Sequence, residues 1–205
     1  MKLTVTTFLT VDGVMQSPGG PEEDPSGGFD LGGWVVPYAD EDMGSAVVEW
    51  FAGADAFLLG RKTYEIFAAY WPQVTDENDP VAGALNGLPK YVASTTLDRV
   101  EWNNSTLIDK DVVAAVTELK SRPGRDLQVH GSGELAQTLI EHDLVDEFRL
   151  FIYPILLGRG RRLFAAGTVP AALRLVEAKT TGAGVAVHSY RRAGRPTFGS
   201  FALDE

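Results

Sequence analysis

The segment from Val145 to Leu157 carries apolar residues on both of its pleated faces, the pattern of a central strand covered above and below. A strand of that kind cannot lie against water, so the chain must supply a layer for each side. The first segment agrees. Leu3, Val5, Thr7, Leu9 and Val11 share one face, Thr4, Thr6, Phe8 and Thr10 the other, and both can be buried before the Asp12-Gly13 turn. Short apolar runs at 54–59, 90–94 and 127–130 read as further strands. Ala183 to Arg192 alternates Val185 and Val187 with polar residues, as an edge or antiparallel strand does. Between the strands lie helical patterns. Met43, Ala46, Val47, Trp50 and Phe51 mark one, and a second opens at Tyr64 to Phe67. Val112, Val113, Val116 and Leu119 mark a third, and Leu135, Leu139 and Ile140 a fourth. The alternation predicts an α/β fold with a mixed, mostly parallel sheet and antiparallel strands near the C-terminus.

With 205 residues, 44% of them apolar, the chain suits one domain with a real core. The expected domain spans 1–193, with 194–205 as a tail. Residues 16–33 form the longest Pro/Gly-rich stretch, and 16–40 is expected to be a lid inserted in that domain. The formal charge of −10, from 28 acidic and 18 basic residues, argues against nucleic acid as a partner. There is no cysteine, and the three histidines have no helical ligand spacing, so no metal site is expected. No run of 18 apolar residues occurs and the N-terminus alternates like a strand, which predicts a cytoplasmic chain with no membrane contact.

Four segments could carry chemistry. Gly60-Arg61-Lys62-Thr63 joins a strand to a helix, where backbone N–H groups and basic side chains suit a dinucleotide phosphate; an ordinary turn with solvated basic residues fits equally well. Gly131-Ser132-Gly133 with Ala136 fits G-x-G-x-x-A, again between strand and helix. Its late position, and the absence of an acid at Tyr153-Pro154, argue against a Rossmann unit but leave room for a pyrophosphate contact. Ser94-Thr95-Thr96 offers hydroxyls after the third strand, or is simply a polar turn. Arg159, Arg161 and Arg162 form a basic loop that suits a substrate phosphate or lies solvated. Asp40 and Asp42 stand beside Trp34 and Tyr38, where aromatic surface would raise a carboxyl pKa toward proton donation; helix capping is the competing role. His130 reads as a satisfied strand-end histidine.

In order, the chain shows T-V-D-G-V-M, W-x-x-P-Y, L-L-G-R-K-T-Y-E, V-A-S-T-T-L, V-H-G-S-G-E-L and D-E-F-R-L-F-I-Y-P-I-L-L-G-R-G-R-R-L-F. Over about residues 2 to 192 this resembles the dihydrofolate reductase-like superfamily. Within it, the chain is similar to single-domain relatives of the reductase domain of the bifunctional riboflavin-biosynthesis deaminase–reductase. The resemblance implies a three-layer fold with a sheet of about eight strands, NADPH as cofactor and a homodimer. It implies cofactor contacts at Gly60, Arg61, Lys62 and Thr63, at Ser94 and Thr95, at Gly131, Ser132, Gly133 and Glu134, and beside the nicotinamide at Asp12, Gly13 and Val14. Where dihydrofolate reductases carry a pterin-binding carboxylate, this chain has Gly44.

The expected activity is therefore NADPH-dependent hydride transfer to a small heterocyclic or imine substrate. The resemblance points to a reaction like 5-amino-6-(5-phosphoribosylamino)uracil reduction. Asp42 and Asp40 are the candidate proton donors, and Trp34, Tyr38, Tyr153 and Arg159 the candidate substrate contacts. A dihydrofolate or pterin reductase, and a non-catalytic dinucleotide-binding protein, are the alternatives.

Overall fold

A computed structural model describes residues 1–201; the last four residues of the expected tail lie outside the described residues. In chain order the elements are β1 (Lys2–Thr10), α1 (Glu41–Ala52), β2 (Ala54–Gly60), α2 (Arg61–Tyr70), α3 (Pro80–Gly87), β3 (Lys90–Ala93) and β4 (Ser105–Ile108). They continue with α4 (Val112–Ser121), β5 (Asp126–His130), α5 (Gly133–Glu141), β6 (Glu147–Tyr153), β7 (Leu173–Thr180) and β8 (Ala186–Arg192). The eight strands form one sheet in the order β4-β3-β2-β5-β1-β6-β8-β7. From β4 to β6 every pairing is parallel, while β8 runs antiparallel to both β6 and β7. This is the mixed, mostly parallel sheet of a dihydrofolate reductase-like fold.

Both faces are covered, as the central strands demanded. Leu3, Val5, Leu58, Leu127 and Val129 pack under Val116 and Leu119 of α4 and Leu135 and Leu139 of α5. On the opposite face, Trp50 and Phe51 of α1 and Leu85 of α3 cover Phe57, Leu59, Val92 and Phe151. Alternation along each strand therefore divides the chain's apolar residues between two cores.

The boundaries differ from the sequence pattern where the backbone turns. β1 stops at Thr10 because Gly13, at φ +81°, lets the chain reverse so that the Thr10 N–H meets the Val14 carbonyl. Val11 consequently sits exposed at the tip rather than buried on the strand face. β6 ends at Tyr153, since Pro154 has no N–H and the Ile155 N–H bonds back to the Tyr153 carbonyl. α2 begins at Arg61, a full turn before the apolar pattern. Three elements carry no strong pattern and emerge only in the structure. α3 is started by Asp79, which accepts from the N–H groups of Val81 and Ala82; β4 is four mixed residues; β7 is a largely exposed edge strand.

One charged cluster is buried beside β6. Glu147 accepts from Arg149 Nε at 3.0 Å, Arg191 Nε at 2.9 Å and Lys2 Nζ at 3.1 Å, while Arg149 Nη2 reaches Asp126 at 2.7 Å. Burial alone would raise the Glu147 pKa, but the hydrogen bonds from Arg191 and Lys2 outweigh it and hold the carboxyl below its ordinary value. Its ionised form thus stabilises the fold above the unfolded value, about pH 4.3, and that stabilisation is lost as pH falls through the lower folded value. Glu147→Gln is expected to cost about 1–3 kcal/mol, chiefly by taking one of its two carboxylate partners from the buried Arg149. Urea unfolding reads the loss, and an unchanged midpoint would contradict it.

Candidate active site

β2 and β5 are neighbours, so the turns that follow them stand side by side at the carboxyl edge of the sheet. The Gly60 N–H donates to Ser132 Oγ at 2.9 Å, and that hydroxyl also pairs with Thr63 Oγ1 at 2.7 Å. A Cβ on Gly60 would lie 2.7 Å from Ser132 Cβ, closer than atoms can approach. Gly131 and Ser132 both take left-handed backbone, at φ +63° and +61°, to bring α5 into this position. The result is two helix N-termini, α2 and α5, in contact. Their first-turn N–H groups have no partner within the helix, so the pair makes an anion cradle that suits a dinucleotide pyrophosphate.

A cavity of about 490 Å³ opens beside this cradle. Its floor is Thr6, Thr7 and Phe8 of β1 with His130 at the end of β5; Met43, Val47 and Phe51 of α1 form one wall. Lys62, Thr63 and Phe67 of α2 form another, and Gln16, Glu23, Asp24 and Arg161 close the top. The hydroxyls of Thr6 and Thr7 are buried there without a protein partner.

The loop over the cavity is tied down by Gln16. Its amide nitrogen donates to the Asp24 and Ser26 carbonyls, and its oxygen accepts from the Arg161 N–H. Asp24 pairs with Lys62 at 2.8 Å and Arg161 at 3.5 Å. Burial pushes the Asp24 carboxyl up, but Lys62 and Ser26 hydrogen bonds leave it below its ordinary value. Glu23 goes the other way: burial raises its pKa despite N–H bonds from Gly19 and Gly20.

The residues expected from the sequence divide into two groups. Lys62, Thr63, Gly131, Ser132 and Gly133 line the cavity, and Gly60 packs against them. Arg61 turns to the side, where Nη1 meets Thr96 Oγ1 at 2.7 Å and Nε pairs with Glu65. Ser94 Oγ accepts from the Thr96 and Leu97 N–H groups, so Arg61, Ser94 and the exposed Thr95 form a polar patch beyond the cavity. Glu134 is exposed on the first turn of α5.

The other residues expected from the sequence lie away from the cavity lining. Asp40 caps α1, accepting from Met43 N–H at 2.8 Å and Ala183 N–H at 2.9 Å; Asp42 accepts from Gly182 N–H at 2.9 Å. Both carboxylates serve the turn between β7 and β8, and neither lines the cavity. Asp12 is a brace: Thr10 Oγ1 and the N–H groups of Leu157 and Gly158 donate to it. The Thr10 hydrogen bond, helped by those from Gly158 and Leu157, outweighs desolvation and holds it at a pKa of about 2. Gly13 shapes that turn, and Val14 is buried behind it. Trp34 and Tyr153 are buried edge to face at 5.3 Å, with Tyr38 against Tyr153 at 5.9 Å; these rings build a core cluster rather than a cavity wall. Burial raises the Tyr153 pKa, and its hydroxyl meets Met43 Sδ. Arg159 pairs with Asp30 on the surface, while Arg161 two residues on reaches the cavity.

His130 is more than a satisfied strand end. Gln128 Nε2 donates to the Trp50 carbonyl at 2.6 Å, so its Oε1 faces His130 Nε2 at 3.0 Å and the imidazole proton sits on Nε2. The ring is wedged against Phe51 and Phe57, at 4.7 and 5.7 Å. This burial, with the Arg149 charge, pulls its pKa down to about 3. Nitrogen-resolved NMR is expected to show a neutral His130 protonated on Nε2 throughout pH 5–8, and a midpoint near the ordinary value of about 6.5 would contradict this. Among the described residues no group of three or more His, Cys, Asp or Glu could hold a metal ion, and no helix is long and apolar enough to cross a membrane.

Comparison with known proteins places this geometry. The protein YyaP of Bacillus subtilis, itself uncharacterised, is 29% identical over 90% of this chain and 91% of its own. A Shewanella protein named for riboflavin biosynthesis superposes with a TM-score of 0.66 at 19% identity, over 94% of this chain and 99% of that one. A Thermotoga maritima diaminohydroxyphosphoribosylaminopyrimidine deaminase/5-amino-6-(5-phosphoribosylamino)uracil reductase gives 0.62 at 16% identity, over 94% of this chain and 56% of that one. The model of the RibD C-terminal domain matches residues 1–187, and the chain belongs to that family.

Proposed function

We propose that this protein is an NADPH-dependent reductase acting on a small heterocyclic or imine substrate, with a reaction like that of 5-amino-6-(5-phosphoribosylamino)uracil reductase. The observation that carries the reading is the contact of two helix N-termini through Gly60 and Ser132, beside a deep cavity of mixed polarity. Membership of the RibD C-terminal family and the printed activity of the Thermotoga relative support it.

In this reading the first-turn N–H groups of α2 and α5, with Lys62, hold the pyrophosphate. Arg61, beside Ser94 and Thr95, takes the 2′-phosphate through charge-assisted hydrogen bonds. NADPH, when bound, supplies the hydride. Phe8, Val47, Phe51 and Phe67 exclude water from the space where substrate would lie. Lys62 must exchange Asp24 for a phosphate when the site fills, so the covering loop senses occupancy through that ion pair. The reading includes a homodimer, for which the exposed Leu173, Leu175 and Val176 of edge strand β7 offer apolar surface, and a cytoplasmic setting.

Calorimetric titration tests the cofactor assignment. Arg61→Ala is expected to weaken NADPH by about 10- to 100-fold, the loss of one charge-assisted contact, and to leave NADH within about threefold. Equal losses for the two nucleotides would overturn the assignment of Arg61 to the 2′-phosphate.

A further inference from the structure

The cavity has two unlike sides. Lys62 and Arg161 stand on one, under the covering loop, and both are bound to Asp24, at 2.8 and 3.5 Å. On the other, four elements turn apolar side chains to the same space: Val47 and Phe51 of α1, Phe67 of α2, Trp71 of the turn after it, and Val81 of α3. Val47, Phe67, Trp71 and Val81 pack against the core around Phe51, Phe57 and Leu85, yet each is only half-buried. Apolar surface is therefore left on this wall for a ligand to cover. The wall is also preformed. Phe67 and Trp71 meet edge to face at 6.3 Å, and Asn86 of α3 donates to the Trp71 carbonyl at 2.9 Å. Among the described residues lining the cavity, the remaining charged side chains are Glu23 and Asp79, both acidic. Asp79 starts the same helix that carries Val81.

We propose that this wall selects a substrate whose substituent is apolar, an aryl or alkyl group, and rejects one that carries a sugar phosphate. The proposal deepens the reductase reading and rests on it only for what happens at the heterocyclic end of the substrate. Binding of the substituent between α1, α2 and α3 needs no cofactor. A phosphate dianion brought here would lose its hydration against carbon, meet the acidic Asp79, and find no cation to pair with. Lys62 and Arg161 do not serve it, because Asp24 holds both, and Lys62 turns to the cofactor pyrophosphate when the site fills. An aryl group gains in proportion to the apolar area it removes from water, and it meets two rings already fixed in place. The substrate in the name of the Thermotoga relative carries a phosphoribosyl group, so the two proteins are expected to differ in the substituent they accept.

The test is calorimetry with three ligands that share one core: 6-aminouracil, 6-benzylaminouracil and 6-ribitylaminouracil 5′-phosphate, with NADPH titrated separately. The wild-type protein is expected to bind one 6-benzylaminouracil per chain, about tenfold or more tighter than 6-aminouracil. The phosphate probe is expected to bind no tighter than 6-aminouracil. Val47→Ser and Val81→Ser, on different helices, should each cut the benzyl advantage by about threefold or more. Both should leave 6-aminouracil and NADPH affinities within about twofold, a selectivity that a general loss of structure would not give. Four results would overturn the proposal: a phosphate probe bound tighter than the benzyl probe, a benzyl probe bound no better than 6-aminouracil, no benzyl binding at millimolar concentration, or a benzyl advantage retained in both serine variants. Absence of NADPH binding with the benzyl advantage intact would instead count against the cofactor reading alone.

Discussion

The close approach of Gly60 to Ser132 is the constraint on which the site depends. Two strand-to-helix turns can touch only if one of them has no side chain, and Gly60 is where a Cβ would collide. The hydroxyl of Ser132 then satisfies the Gly60 N–H and meets Thr63, so polar bonds hold the two turns together. That contact requires β5 to lie beside β2, although β3 and β4 come between them in the chain. After building outward through β3 and β4, the chain returns to the middle of the sheet and inserts β5 between β2 and β1. Ligand sites of open α/β sheets form where successive connections change direction in this way.

The remaining elements hold that edge in place. The buried cluster of Glu147, Arg149, Asp126, Lys2 and Arg191 lies on β1, β5, β6 and β8, so it ties together the strands that form the floor. Asp12 plays the corresponding part at the far end of β1, binding the chain that follows β6 through the Leu157 and Gly158 N–H groups. Gln16 does the same for the covering loop by joining residues 24, 26 and 161. These polar contacts place Arg161 and Asp24 over a cavity whose floor is sheet, while the covering loop is anchored by buried Phe29, Trp34 and Val35 and meets α2 through the Asp24–Lys62 pair.

Much of this was legible in the sequence. The two-sided apolar strands demanded a covered sheet, and glycine-bounded turns after β2 and β5 pointed to anion chemistry before any geometry was known. What escaped has physical reasons. The short strand β4 and the edge strand β7 bury too little to leave a period. Asp40 and Asp42 stood beside aromatic residues in sequence, yet capping α1 and binding the 182–183 turn consumed both, because a helix start beside a tight hairpin has more orphan N–H groups to satisfy. Trp34 and Tyr153 were drawn into the core by their own apolar area. His130 was hidden for the opposite reason: it sits in an ordinary strand pattern, and only the fold brings it to the cavity against Phe51 and Phe57.

The most direct measurement is a crystal structure of the protein soaked with NADPH. The account predicts the pyrophosphate within hydrogen-bond reach of the first-turn N–H groups at Arg61–Thr63 and Gly133–Glu134. It predicts the 2′-phosphate at Arg61 and the nicotinamide over the cavity floor. Nucleotide density away from the paired turns, or none at saturating NADPH in a crystal whose site is open to solvent, would contradict it.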